Sequence, residues 1–175
     1  MKSILAKIWK LLNLPKGTQL FLMRFFQNQF LVGVTGIIFN EKREVLLFKH
    51  TYRGHAWSLP GGYLKAGEHP AEALEREIKE ESNLVVSVDE SLKTRTDRDS
   101  SRLDMCYTGV FIGGKFIPSK EVSEYGFFSQ DTMPLLRSNQ VFLIEKALQE
   151  LKSPLCQVSS MTNMDLCPVK SCKGF

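Results

Sequence analysis

Residues 62–84 read GYLKAGEHPAEALEREIKEESNL, and this stretch predicts the centre of the fold. Pro70 suits the first position of a helix, and a Pro-Gly-Gly loop precedes the whole stretch. The carboxylates of Glu77, Glu80 and Glu81 then fall within about 100° of arc on one helix face. Because like charges at this spacing repel one another, we expect a hard divalent cation with oxygen ligands to compensate them.

The sequence on either side of this helix predicts strands, because short runs there are rich in β-branched and aromatic residues. Residues 40–43 have the composition of a turn, and Gly113-Gly114 predicts a hairpin turn. Strands are predicted at 30–39, 45–49, 85–88, 103–112 and 125–128, and helices at 69–83 and 141–151. This mixed order predicts the α+β class, with a sheet between helices.

Composition indicates one globular domain with small additions. The chain has 175 residues, of which 43% are apolar, and a net charge of +4 that suits phosphate-bearing substrates. We expect no nucleic-acid partner, because no run of Lys and Arg forms a patch. The basic stretch at 93–102 has the character of a solvated loop, and attraction of phosphates by its charge stays open as an additional role.

The cysteines do not indicate a disulfide framework, so a cytoplasmic location is expected. Cys106 lies in an alternating apolar stretch and is predicted to be a buried thiol. Residues 153–175 form a polar tail with three cysteines, where zinc binding is disfavoured because paired Cys-x-x-Cys spacing is absent.

Residues 1–29 predict an N-terminal helical extension. Apolar residues follow helical spacing between Ile4 and Leu12, Pro15 and Gly17 are expected to end that helix, and a second short helix is predicted at 18–29. Three interpretations of this basic, amphipathic extension stay open: packing on its own domain, contact with a second subunit as a homodimer, and contact with an anionic membrane surface.

The central stretch resembles the Nudix box, Gly-x5-Glu-x7-Arg-Glu-U-x-Glu-Glu-x-Gly-U, in which U is a bulky apolar residue. Eight of its nine defined positions match: Gly62, Glu68, Arg76, Glu77, Ile78, Glu80, Glu81 and Leu84. The departure is Asn83 in place of glycine, and Asn tolerates the left-handed conformation expected there. The resemblance covers about residues 30–150 and implies a Nudix-type α/β/α sandwich with a mixed sheet over residues 30–152.

The resemblance also implies site residues. It makes Glu77, Glu80 and Glu81, with the Gly62 carbonyl, the ligands of Mg²⁺ or Mn²⁺, and Glu121 lies where some relatives place an additional ligand. Arg76 is expected to hold a carboxylate in place. Glu80 or Glu81 is the first choice for the base that takes a proton from water, and Glu121 and Glu124 are outside candidates.

Substrate contacts are expected from the loop before the box. Arg53 is a candidate for a phosphate or the second moiety of the substrate, and Tyr52 and Trp57 are candidates for stacking on a base. Trp57 has an alternative role as a core anchor beside this loop.

The resemblance implies a metal-dependent hydrolase that cleaves the diphosphate linkage of nucleoside diphosphate-X compounds, with ADP-ribose-like, nucleotide-sugar and nucleoside triphosphate substrates as options. Three alternatives stay open: a nucleotide-binding module without turnover, a membrane-surface hydrolase of nucleotide-linked lipid precursors, and removal of pyrophosphate from RNA 5′ ends. The last is disfavoured, because no basic, aromatic RNA-binding track is evident.

Overall fold

The computed structural model describes residues 15–26, 29–51, 57–97 and 101–152, which alternate between strands and helices. The elements are α1 (Lys16–Phe26), β1 (Leu31–Phe39), β2 (Val45–His50), β3 (Trp57–Ser58), β4 (Gly61–Tyr63), α2 (Pro70–Ser82), β5 (Val85–Asp97), β6 (Arg102–Gly113), β7 (Val122–Phe128), a short 3₁₀ turn (Gln130–Thr132) and α3 (Ser138–Lys152).

The described strands form one mixed sheet in the order β3-β2-β1-β6-β5, with β4 also paired to β1 and β7 to β2. Strand β1 runs parallel to β6 over nine residue pairs, from Leu31 opposite Arg102 to Phe39 opposite Val110. The other described pairings are antiparallel. The predicted mixed sheet is therefore confirmed.

Each face of the sheet is covered by a helix. Val34 and Ile38 of β1 pack with Leu74 of α2 on one face, whereas Ile37 of β1 packs with Leu143 of α3 on the other. Successive strand residues point to opposite faces, so the nearly continuous apolar run of β1 supplies both cores. This arrangement confirms the predicted α/β/α sandwich.

Two predictions about the second half of the sheet were wrong. Strand β5 does not end at Val88 but continues to Asp97, so residues 93–97 belong to a strand paired with β6 instead of a solvated loop. Gly113-Gly114 does not form a hairpin, because β7 pairs with β2 at the other side of the sheet. Gly114 instead passes close to the end of α2, where an added Cβ would lie 2.8 Å from the Asn83 carbonyl oxygen.

Helix α1 corresponds to the second predicted N-terminal helix, but Gly17 lies in its first turn rather than ending an earlier helix. The Pro15 carbonyl accepts a hydrogen bond from the Gln19 N–H, which fits the preference of proline for helix starts. Residues 1–14 and the tail at 153–175 lie outside the described residues. Within the described part of the chain, no helix has the length and apolar character needed to cross a membrane.

Candidate functional site

Helix α2 is fixed at both ends by its own sequence. Pro70 occupies its first turn, the His69 Nδ1 accepts from the Ala71 N–H, and the Glu72 carboxylate accepts from the His69 N–H. This reciprocal capping satisfies backbone donors that a helix start leaves unpaired. At the other end Asn83 adopts φ 60°, as predicted for the position where the box has glycine.

Arg76 lies at the centre of the carboxylates. Its guanidinium donates to Glu68 Oε1 at 2.6 Å, to Glu77 Oε1 at 2.7 Å and to Glu80 Oε2 at 3.1 Å. A further bond of 3.1 Å to the Tyr63 carbonyl ties the helix to β4. Arg76 therefore offsets part of the repulsion between the carboxylates and holds the glycine-rich strand against the helix.

The Arg76–Glu68 pair perturbs the acidity of both groups. The hydrogen bond from Arg76 lowers the pKa of Glu68 to about 2, against burial, which acts in the opposite direction. The same bond, reinforced by Glu77, raises the pKa of Arg76 above its ordinary value. Glu68 is therefore an ionised partner of Arg76 at neutral pH and joins the loop before α2 to the helix.

A cavity of about 540 Å³ opens beside α2. Glu77, Glu81, the Gly62 backbone and Glu121 all line it, whereas Glu80 does not. The Glu80 side chain is 54% exposed and also contacts Lys65 at 3.4 Å. The other residues lining the cavity are Val34, Thr35, Leu59, Gly61, Tyr63, Arg95, Arg102, Asp104, Cys106, Arg137, Asn139, Gln140 and Leu143.

The acidic end of this cavity suits a hard divalent cation. A Cβ added at Gly62 would lie 2.5 Å from Glu77 Oε2, so the peptide and the carboxylate are in close approach. Carboxylate and carbonyl oxygens are the donors that Mg²⁺ and Mn²⁺ prefer. With Arg76 bonded to Glu77 and Glu80, no three acidic, histidine or cysteine side chains of the described residues converge as a ready-made metal site.

Cationic side chains also line this cavity, namely Arg95, Arg102 and Arg137. The Arg102 guanidinium lies 5.1 Å from the centre of the Tyr63 ring, and its Nε donates to Asp104 Oδ1 at 2.6 Å. Gly33 makes this placement possible, since a Cβ there would lie 2.5 Å from Asp104 Oδ1 and 2.8 Å from Arg102 Nη2. Arg95 lies opposite Asp104 on the neighbouring strand.

Cys106 is buried, as predicted, and lies on the cavity wall. Burial raises the pKa of its thiol to about 11, so it is protonated at neutral pH. It therefore contributes packing rather than a nucleophile.

The structure separates the predicted substrate-binding residues from this cavity or does not describe them. Tyr52 and Arg53 lie outside the described residues. The Trp57 ring packs edge-on against Phe128 at 5.0 Å, beside the core under α3, and does not line the cavity. This placement fits the alternative of a core anchor.

Several cavity residues were missed by sequence reasoning. The sequence gives no signal for Arg137, Asn139 or Gln140, whereas Arg95 and Arg102 belong to the basic stretch that was predicted as a loop with attraction of phosphates as an additional role. The alternating polar residues of 93–104 are the signal that indicates a strand face at Arg95 and Arg102. No such signal exists for residues 137–140, because only the packing of α3 brings them to the cavity.

Comparison with known proteins shows which family this chain belongs to. The model of the NUDIX domain matches residues 29–150. The 8-oxo-dGDP phosphatase NUDT18 of Mus musculus is 31% identical over 82% of this chain and 45% of its own length. An ADP-ribose pyrophosphatase of Methanocaldococcus jannaschii is 33% identical over 60% of this chain and 65% of its own length.

A NUDIX hydrolase structure from Nitrosomonas europaea superposes with a TM-score of 0.64 at 23% identity, covering 71% of this chain and 73% of that one. That likeness concerns the fold. The chain spans about half to two thirds of the length of the two curated relatives.

Proposed function

Because the chain belongs to the Nudix family, whose members generally use divalent metal ions, we propose that it is a pyrophosphohydrolase acting on nucleoside diphosphate derivatives. The observation that carries this proposal is the single cavity shared by Glu77, Glu81, Glu121 and the Gly62 backbone, with Arg95, Arg102 and Arg137 in the same lining. The carboxylates suit metal-bound phosphates, and the arginines suit anionic or planar groups of a nucleotide.

In this proposal Glu77, Glu81 and the Gly62 carbonyl hold Mg²⁺ or Mn²⁺, with Glu121 as a further oxygen donor and Glu80 at the rim. The bound ion would offset charge on the diphosphate and lower the pKa of the attacking water. Glu81 is the favoured base over Glu80, since only Glu81 lines the cavity. The water oxygen joins one phosphorus while the bridging P–O bond breaks, leaving two phosphorylated products.

Arg76 acts through the carboxylates. Its bonds to Glu68 and Tyr63 fix the guanidinium, and its bonds to Glu77 and Glu80 then orient those side chains. Binding of a metal by Glu77 would replace part of that contact with Arg76.

The substrate class proposed first is a nucleoside diphosphate derivative of the kinds named for the relatives, ADP-ribose or 8-oxo-dGDP, an oxidised deoxyguanosine diphosphate. A nucleotide-binding module without turnover is disfavoured, because every box carboxylate is present and two of them line the cavity.

Hydrolysis of ADP-ribose, 8-oxo-dGDP, UDP-glucose and dGTP with Mg²⁺ or Mn²⁺ tests the proposal, with products identified by chromatography. We expect turnover of at least one of the first three substrates, and a loss of about 100-fold or more in kcat for Glu81→Gln. Glu41→Gln, an exposed change in the turn after β1, is the matched control and should retain full activity.

Two results would contradict the proposal. One is wild-type protein that turns over none of these compounds with either ion. The other is a Glu81→Gln variant with the same kcat as Glu41→Gln, which would remove Glu81 from the chemistry.

A further inference from the structure

The N-terminal part of the chain carries its charge very unevenly. Lys2, Lys7, Lys10, Lys16 and Arg24 are its basic residues, and the first acidic residue is Glu41. The remainder of the chain is close to neutral, because it holds all 19 acidic residues and most of the 23 basic ones. The positive excess of the protein therefore lies in the segment that precedes the catalytic domain.

Helix α1 adds an exposed aromatic face to this charge. Phe25 is 80% exposed and Phe26 is 82% exposed, and Phe21 lies on the same side. At 100° per residue these three rings spread over about 140°, while Lys16 and Arg24 fall on the opposite side. Phe30, just before β1, and Leu31, its first residue, are also about half exposed, at 52% and 53%.

Such a surface is costly in water, because large apolar rings are held away from any core. The described side chains of α1 are exposed except for Gln19, so packing on the chain's own domain does not cover these rings. A symmetric contact between two copies would place the same basic segment of each chain against the other, with no acidic residue in either segment to compensate.

An anionic membrane surface, with negative charge above an apolar layer, complements both the positive charge and the exposed phenylalanine rings of α1. Helices with Lys and Arg on one side and Phe on the other lie in the interface of anionic bilayers, with the rings at the headgroup–acyl boundary. Trp9 in the preceding basic segment is also of a type enriched at that boundary.

We propose that α1 docks the protein onto the surface of an anionic phospholipid membrane. The contact is peripheral: Phe21, Phe25 and Phe26 enter the headgroup–acyl boundary, and Lys16 and Arg24 face the anionic headgroups. This inference is independent of the catalytic proposal, because it involves none of the cavity residues.

Vesicle flotation of the full chain tests it. The protein should float with vesicles of phosphatidylglycerol and phosphatidylcholine, should not float with phosphatidylcholine alone, and should dissociate as NaCl is raised, because salt screens the attraction. The double change Phe25→Ser and Phe26→Ser should weaken partitioning by about tenfold or more.

Leu135→Ser is the matched control, since Leu135 is 81% exposed in the loop between β7 and α3 and should be unimportant for flotation. A second variant, Lys16→Glu with Arg24→Glu, should lose flotation while keeping both phenylalanines. Circular dichroism and hydrolysis of a soluble substrate should be unchanged in all three variants.

Equal flotation with neutral and anionic vesicles, or none with either, would overturn the inference. So would light scattering that shows a dimer in solution which the Phe25→Ser and Phe26→Ser changes dissociate while flotation is absent. In that case the occupant of the α1 surface is a second copy of the chain.

Discussion

At the scale of single residues, Arg76 offsets the repulsion between Glu77 and Glu80 on α2 and joins both to Glu68 in the preceding loop. Its guanidinium makes contacts of 2.6 to 3.1 Å to Glu68, Glu77 and Glu80 and also bonds the Tyr63 carbonyl. An arginine can do this because its planar fork presents several donors in fixed directions, which a lysine does not. Arg76 thus organises the acidic end of the cavity before any ligand is present.

The Glu68–Arg76 pair predicts a pH dependence of stability. Glu68 has a pKa of about 2 in the folded chain and an ordinary value of 4.5. Because the folded-state pKa is the lower one, the stabilisation is present above pH 4.5 and is lost as the pH falls towards 2. The Glu68→Gln variant should be less stable at pH 7 and should lose less free energy of unfolding across this window.

Urea unfolding at pH 7, 4.5 and 3 measures this difference. Glu41→Gln serves as the control, and its free energy of unfolding should change with pH as that of the wild type does. Parallel pH profiles for wild type and Glu68→Gln would show that the pair does not stabilise the folded state.

Arg102 carries a prediction about substrate binding that rests on the proposed hydrolase function. Its guanidinium lies over the Tyr63 ring and lines the same cavity as Glu81. We expect Arg102→Lys to raise KM by about tenfold with little change in kcat. Lysine keeps the positive charge but lacks the planar guanidinium that stacks on a ring. Gly33→Ala should act in the same way, since its Cβ would displace Arg102.

Steady-state kinetics on the best substrate of the panel decide this prediction. Lys42→Ala, in the exposed turn after β1, is the control for removal of a cation. A fall in kcat at unchanged KM for Arg102→Lys would place Arg102 in the chemical step and contradict a binding role.

At the scale of elements, the end of α2 depends on one residue. Asn83 adopts φ 60°, its N–H donates to the Lys79 carbonyl, and its Nδ2 donates to the Lys115 carbonyl at 2.9 Å. Asn83→Ala should lower the free energy of unfolding by about 1 to 2 kcal/mol, because alanine is strained in the left-handed region and lacks the side-chain bond. Asn83→Gly should lower the free energy of unfolding by less than Asn83→Ala does, since glycine adopts the left-handed conformation without strain.

Thermal or urea unfolding of the two variants separates strain from hydrogen bonding. If Asn83→Gly is as destabilised as Asn83→Ala, the bond to Lys115 dominates and the conformational explanation is wrong.

Most elements were predicted from local residue patterns, including strands β1, β2 and β6, whereas the features that strand pairing decides were not. The capped helix α2 and the turn at 40–43 follow from residues within a few positions of each other, and both are observed. The true length of β5 and the course of the chain after Gly113 depend on which strand lies alongside. A Gly-Gly pair permits a hairpin, but pairing of β7 with β2 decides against one.

At the scale of the whole molecule, the same distinction divides the candidate site. Its acidic end was predictable, because Gly62 and the box carboxylates belong to one continuous motif whose spacing implies their proximity. Its arginines were not, because Arg95 and Arg102 reach the cavity through the register of β5 with β6, and Arg137 through the packing of α3. Those contacts join residues far apart in the chain, about which local patterns carry little information.

The parallel pairing of β1 with β6 also affects how the chain folds during synthesis. Leu31 lies opposite Arg102, so one edge of β1 stays unpaired until the ribosome has synthesised β6. At about 5–20 residues per second the delay is roughly 4 to 14 seconds. Throughout that time the edge of β1 that later pairs with β6 is exposed. We therefore expect chaperones to bind this part of the nascent chain until β6 emerges.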